Sequence, residues 1–514
     1  MGKQKRVGRG LGWLALACAI GAPPAWAQSV SGETSRTPVA TTAHWRTPDF
    51  NTLPGARLRY REMPVQRLFE LQKRNAARRM KPVQVGMGRR LNTEGVTTLA
   101  QPALSWRSLG QGASAARLDI TSPDALAVRA GLQVGALHPD VELRFAGSDH
   151  PDRIVAVVSA REAQRQVDGQ GLYWAPSTDG QTQLIEIYRP AHVVAAMARV
   201  NAPQLAHLLA NSRSDFKILE KIGESESCNI DTACRVAELG DRFVRAKNAV
   251  AHMLFISKDE NGQTGSFICT GTLLNDTATG TQTPYFYSAH HCISDQGVAS
   301  TLNTFWRYEA TSCNSTVSQP VTQLTGGATY LYSSSETDAL LLRLADPAPA
   351  GAEFSGWDAA ALPASSAILG IHHPAGDAKK VSSGQQLPSS DQTHNAVAWL
   401  SGSTQGGSSG SGLFTLHADG YRLRGGLHGG DATCANSGST SNTQNRDWYS
   451  RFDVAYPHIR QWLAPTTPIL MNGAQPRIPG QANAVSAGNT PTVPRIKARA
   501  VFKQRGAFRR YPSP

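Results

Sequence analysis

Six of the seven cysteines lie between Cys228 and Cys434, and the seventh, Cys18, stands far from them near the N-terminus. Cys18 sits in a stretch built like a secretory signal. Lys3, Lys5, Arg6 and Arg9 give a positive start, "LGWLALACAIGA" is an apolar core too short to span a bilayer, and "AWA", ending at Ala27, fits a small-residue cleavage site. Residues 1–27 therefore read as a signal peptide and the protein as secreted. No later segment is apolar enough to be a transmembrane helix. An exported chain with an even number of cysteines is expected to form disulfides, here by any of fifteen pairings. No two of the six lie two to four residues apart, which does not suit a zinc site.

A chain of 514 residues is too long for one core, so two or three domains are expected. The net charge of +13 raises a nucleic-acid reading, but its distribution argues against one. Residues 222–464 hold 14 Lys and Arg against 21 Asp and Glu, a net of −7, while 28–221 and 465–514 carry +8 each. The cysteine-bearing region is thus acidic and better suited to cationic substrates.

Residues 28 to about 60 are rich in Ser, Thr and Pro and read as loosely ordered. "QRLFELQKRNAARRM" fits a basic amphipathic helix. "VELRFAG", "RIVAVVSA" and "TQLIEIYRP" fit strands, and "HVVAAMARVNAPQLAHLL" fits a helix. From 222 to 464 short apolar runs alternate with Gly, Ser and Thr: "HMLFIS", "SFICTGTLL", "YFYSAHHC", "ALLLRL", "AILGIHH", "AVAWL" and "RLRGGLHGG". Many short strands between turns predict an all-β sandwich or pair of barrels. "PHIRQWLA" closes this region as a helix. The tail, 465–514, has eight Lys and Arg, no acid and much Pro and Gly, and reads as disordered.

"TQGGSSGSGLF" (404–414) alone reads as a linker. Spacing suggests more. A serine needs a base to become a nucleophile, the base needs a carboxylate to fix its tautomer, and the oxyanion needs backbone amides. Gly407, two before Ser409, suits a tight turn with an inward amide, and Gly410 leaves room for substrate. His291 stands directly before Cys292, so a disulfide would fix its backbone. Asp338 stands at the mouth of the apolar strand "ALLLRL". The order His291, Asp338, Ser409 is one of the known orders of a Ser-His-Asp triad.

From about 223 to 464 the chain resembles the lysyl endopeptidases, secreted bacterial serine proteases. The resemblance is carried by "SCNIDTAC", "CTGTLLNDT", "YFYSAHHC", "TDALLLRL", "GWD", "IHHPAGDAKKVS", "THNAVAW", "GSSGSG", "LHGG" and "DWYSRF". It implies a chymotrypsin-like fold of two six-stranded antiparallel β-barrels. It implies His291 as general base, Asp338 as its orienter, Ser409 as nucleophile, and the amides of Gly407 and Ser409 as the oxyanion hole. It also implies the pairings Cys228–Cys434, Cys234–Cys313 and Cys269–Cys292. Asp447 matches the acid that meets a substrate lysine, with Asp431 and Asp453 as competing acids. His428 matches a second histidine near the triad. The family's tryptophan beside that histidine has no evident counterpart. Trp399 aligns with a different one, on the strand entering the nucleophile loop, and is expected in the core. Gly412 replaces a usual proline. His372 and His373 are expected at a structural strand end.

The family is made as a precursor, which implies a β-rich propeptide with some helix over 28–221 and a protease domain over 222–464. Lys221 is the expected self-processing point. The implied partners are peptides or proteins with lysine before the scissile bond, and the chain's own propeptide. A monomer without cofactor or metal and without nucleic acid is expected. Two alternatives stand beside it: a protease of the same fold with another pocket preference, and an inactive secreted binding protein.

Overall fold

The computed structural model describes residues 28–77, 82–91, 103–212, 225–278 and 280–465. The expected signal peptide, Lys221 and the basic tail lie outside the described residues. Among the described residues strands account for 41% and helix for 15%, in keeping with the all-β expectation. No described helix is long and apolar enough to cross a membrane.

In the N-terminal region, Thr182–Arg189 lies between the antiparallel strands Ala113–Thr121 and Glu142–Gly147. Their inward Leu118, Ile120, Leu143, Phe145, Ile185 and Ile187 form a core of their own. The amphipathic segment is helix α1 (Val65–Ala77), which buries Leu68 and Leu71. After it come strands β1 (Val83–Arg90) and β2 (Asn201–Leu208), paired antiparallel.

Two expectations for this region change. "HVVAAMARVNAPQLAHLL" is not a helix: it holds one 3-10 turn, Ala195–Ala198, and then β2. Pro203 disfavours a helix interior, and β2 lies between β1 and Ala127–Gln133. Residues 28–34 are not loose. Ser29–Val30 pairs with Trp357–Asp358, and Glu33–Thr34 with Glu353–Phe354. Such edge pairing uses backbone groups, so a polar composition does not forbid it.

The region after residue 225 is a double barrel. Its first half contains β3 (Val250–Lys258), β4 (Thr264–Leu274), β5 (Tyr285–Ala289), β6 (Asn303–Trp306), β7 (Ala328–Ser333) and β8 (Ala339–Leu344). They hydrogen-bond in the order β6-β3-β4-β5-β8-β7 around Met253, Phe267, Phe286, Trp306, Leu340 and Leu342. The second half contains β9 (Ala367–His372), β10 (Lys380–Leu387), β11 (His394–Ser401), β12 (Gly412–His417), β13 (Gly420–Gly430) and β14 (Asp447–Ser450). Here the pairing β9-β10-β11-β14-β13-β12 returns to β9 and closes the barrel.

A third core joins the barrels to helices α2 (Thr232–Asn248), kinked at Gly240, and α3 (Phe452–Leu463), the expected closing helix. The disulfides are Cys228–Cys434, Cys234–Cys313 and Cys269–Cys292, the three pairs that the family resemblance implies. The N-terminal region also joins the first barrel edge to edge. β1 pairs with β4, so one sheet runs through both.

Candidate active site

β5 ends at Ala289, and the turn after it carries His290 and His291. Asp338 immediately precedes β8, which pairs with β5 so that Ala289 faces Ala339. That register puts the carboxylate beside the histidine. Asp338 Oδ1 accepts the His291 backbone N–H at 2.9 Å, and Oδ2 accepts from His291 Nδ1 at 2.6 Å. His428, on β13, directs its own Nδ1 to the same Oδ2 at 2.7 Å. Burial alone would raise the Asp338 carboxyl. Hydrogen bonds from His291 and His428 outweigh it and hold the group well below the usual carboxylate range. Asp338 is only 3% exposed, and its φ of 55° is left-handed, a strained conformation for a residue other than glycine. His290 turns away and bonds Ser333 Oγ at 2.7 Å. With Nδ1 committed to Asp338, His291 keeps Nε2 for chemistry. That atom is buried and makes no hydrogen bond among the described residues.

The Gly/Ser stretch is packed, not a linker. Ser408 and Ser411 are fully buried and Ser409 is 6% exposed. The Ser409 carbonyl accepts from Thr270 N at 2.8 Å, and the Gly407 carbonyl from Thr270 Oγ1 at 3.0 Å. Thr270 follows Cys269, whose disulfide leads to Cys292, the neighbour of His291. The 407–410 loop and His291 are therefore fastened to adjacent points of β4. Gly407 has a φ of 92°, and a Cβ there would come within 2.9 Å of the His373 carbonyl, so the turn requires glycine. At Gly410 a Cβ would strike Ser288 Oγ at 2.1 Å.

Beside Ser409 is a cavity of about 510 Å³, lined by Thr404, Gly406, Ser409, Leu427, Gly430 and Asp431. Asp447 lies beneath its wall, 1% exposed. Its Oδ2 accepts from Thr404 Oγ1 at 2.6 Å and Trp399 Nε1 at 2.7 Å. Its Oδ1 faces Gly430, where a Cβ would come within 2.4 Å. Burial pushes the Asp447 carboxyl up to about 6 against these hydrogen bonds. Of the competing acids, Asp431 shares the cavity, whereas Asp453 pairs with Arg451 at 2.6 Å.

Groups of three ligand-type side chains occur at His291–Asp338–His428, Cys269–His291–Cys292 and His138–Asp140–His192. In the first, both histidines are already bonded to the carboxylate, and in the second both sulfurs are in a disulfide.

Residues 222–450 match the lysyl endopeptidase C-terminal domain, and residues 59–209 match the lysyl endopeptidase N-terminal domain. A lysyl endopeptidase of Pseudomonas aeruginosa is 36% identical over 397 residues, which is 75% of this chain and 82% of that protein. The chain belongs to the lysyl endopeptidase family. It is a serine endopeptidase. Among solved structures, the HtrA-type protease AlgW with a tripeptide, as its S227A variant and unsubstituted, overlaps 43% of this chain and 62% of its own, so this chain spans less than two thirds of it. The identities are 16% and 18% and the TM-scores 0.29 and 0.28.

Against the lysyl endopeptidase pattern, the ring beside His428 is an imidazole. His394 lies 4.8 Å from it, centroid to centroid and tilted by 39°. Burial and then the His428 charge lower the His394 basicity. Trp399 is fully buried, as expected of a core residue, but it also holds Asp447. His372, expected to be structural, bonds Ser408 Oγ at 2.8 Å and so braces the residue before Ser409. The roles of His394, Thr404 and Trp399 have no local sequence marker. The repeated Gly/Ser and His pairs do not specify the contact between Ser408 and His372.

Proposed function

We propose that the protein is a secreted serine endopeptidase that cuts on the C-terminal side of lysine and is made as a self-processing precursor. Ser409 Oγ attacks the scissile carbonyl while His291 Nε2 takes its proton. Asp338 holds the imidazole by Nδ1 and stabilises the imidazolium that forms. The amides of Gly407 and Ser409 receive the oxyanion. His291 then returns the proton to the leaving nitrogen, and water releases the acyl group by the same route in reverse. The observation that carries this reading is the buried Asp338 carboxylate bound to His291 Nδ1 at 2.6 Å.

Lysine selectivity rests on Asp447. A buried ammonium is costly unless a carboxylate meets it. Asp447 lies just beneath a cavity wall opened by Gly430, and Thr404 connects the two. Arginine, with a planar fork that needs several partners, is the harder guest. The remaining assignments follow the family: signal peptide 1–27, propeptide 28–221, protease 222–464, and release by cleavage after Lys221. The three disulfides accord with export.

A serine-directed phosphonylating reagent tests the nucleophile. The expected result is one labelled site, lost in Ser409→Ala. Label uptake that survives Ser409→Ala would overturn the assignment.

A further inference from the structure

The N-terminal region meets the protease at the edge of the candidate active site. On β4, Ile268 pairs with Val83, Phe267 with Gln84, Ser266 with Gly86 and Gly265 with Met87. The next residues of β4 are Cys269 and Thr270, which fasten the histidine turn and the nucleophile loop. The N-terminal end of β1 therefore lies beside the loop that carries Ser409. Val83 confirms this from the other side: a Cβ at Gly406 would come within 2.5 Å of Val83 Cγ2, and Gly406 lines the cavity beside Ser409.

Direction matters as much as place. β1 begins beside Gly406, three residues before Ser409, and in the N-to-C sense its partners on β4 step from Ile268 back to Gly265, away from Cys269 and Thr270. In any peptide substrate the acyl part lies N-terminal to the scissile bond, and the leaving part runs C-terminally away. β1 thus has the polarity of a leaving group, added as an extra strand to an exposed sheet edge. Its outer side is closed within the N-terminal region. Asn75 of α1 donates Nδ2 to the Gln84 carbonyl at 2.8 Å and accepts the Gln84 N–H at 3.1 Å.

The residue before Val83 is Pro82, half-buried, and the sequence before it reads Met80-Lys81. Lys81 lies outside the described residues. Cleavage before Pro82 would break the bond between the Lys81 carbonyl carbon and the proline nitrogen. The proton taken from Ser409 would have to reach that nitrogen from His291. Proline has no N–H, and its ring carbon occupies the place of that hydrogen and restricts the preceding residue.

We propose that β1 occupies the leaving-group side of the substrate track as a surrogate strand, with Pro82 closing it against cleavage. The inference rests on the proposed protease site and names what fills it in the precursor.

The test uses the full chain carrying Pro82→Ser, followed by mass spectrometry of its fragments and by hydrolysis of an added lysyl peptide. The expected result is a new fragment starting at position 82. It forms at a rate independent of chain concentration, is absent from the parent, and is lost in Pro82→Ser/Ser409→Ala. A Pro82→Ser chain that cleaves the added peptide but stays intact before position 82 would overturn the inference and leave the proposed function standing. Cutting there only in proportion to chain concentration would overturn it too. A chain that cleaves neither would overturn the inference, and loss of phosphonyl labelling in Ser409→Ala decides separately whether the proposed function stands.

Discussion

Asp447→Asn should reverse its effect on stability with pH. Burial raises the Asp447 carboxyl from 3.8 to about 6. A carboxyl with a folded pKa above its unfolded value binds its proton more tightly in the folded protein. That stabilisation is complete below the unfolded pKa and is lost as pH rises through the folded one. The rise from 3.8 to about 6 corresponds to about 3 kcal/mol lost between pH 4 and pH 7. Asparagine has nothing to titrate and escapes this loss. It can still accept from Thr404 and Trp399, but its amide adds a donor where the Ala432 backbone N–H also approaches the carboxylate. That mismatch costs about 1–3 kcal/mol at every pH. Asp447→Asn should therefore destabilise at pH 4.5 and recover about 2–3 kcal/mol by pH 8, enough to match or exceed the parent. In a Ser409→Ala background, which prevents self-digestion, the Tm difference between the two chains should shift by roughly 4–10 °C between those pH values. An unchanged difference would contradict a buried carboxylate held ionised at a cost. Lysyl kcat/KM should fall about 10²-fold or more in active Asp447→Asn, since the substrate ammonium would lose its counter-charge.

Asp338→Asn should lower kcat on the order of 10⁴-fold in a peptide hydrolysis assay, because an amide cannot accept from both histidines and hold His291 in the required tautomer. Gly410→Ala combines a φ of 78° with a contact at 2.1 Å to Ser288 Oγ, so it should abolish serine labelling or prevent folding, as seen by labelling and circular dichroism. Opening Cys269–Cys292 with a double serine substitution should cost roughly 3 kcal/mol in denaturant unfolding, by the loop-entropy estimate for a 23-residue separation.

The three residues proposed as a triad are legible because each carries a local marker. His291 adjoins a cysteine, Asp338 precedes a fully apolar strand, and Ser409 lies between glycines that only a tight turn would need. The barrels were legible from short apolar runs between turn residues. Contacts set by strand register were not. Trp399 and Thr404 reach Asp447 across 48 and 43 residues, through the pairing of β11 with β14. His394 meets His428 by the same route. β2 was misread because "NAPQLAHLL" carries helical apolar spacing. Its partners, β1 and Ala127–Gln133, decide for strand, and neither is near it in sequence. The strand pairing of residues 28–34 uses backbone groups, which composition does not report.

The central claim is cleavage after lysine at a Ser409-dependent site. Digesting a denatured protein of known sequence with the purified enzyme, and reading the new termini by mass spectrometry, tests it directly. Termini should fall after lysine, with arginine cut rarely and no cleavage by Ser409→Ala. Comparable cutting after arginine, or digestion that persists in Ser409→Ala, would contradict it.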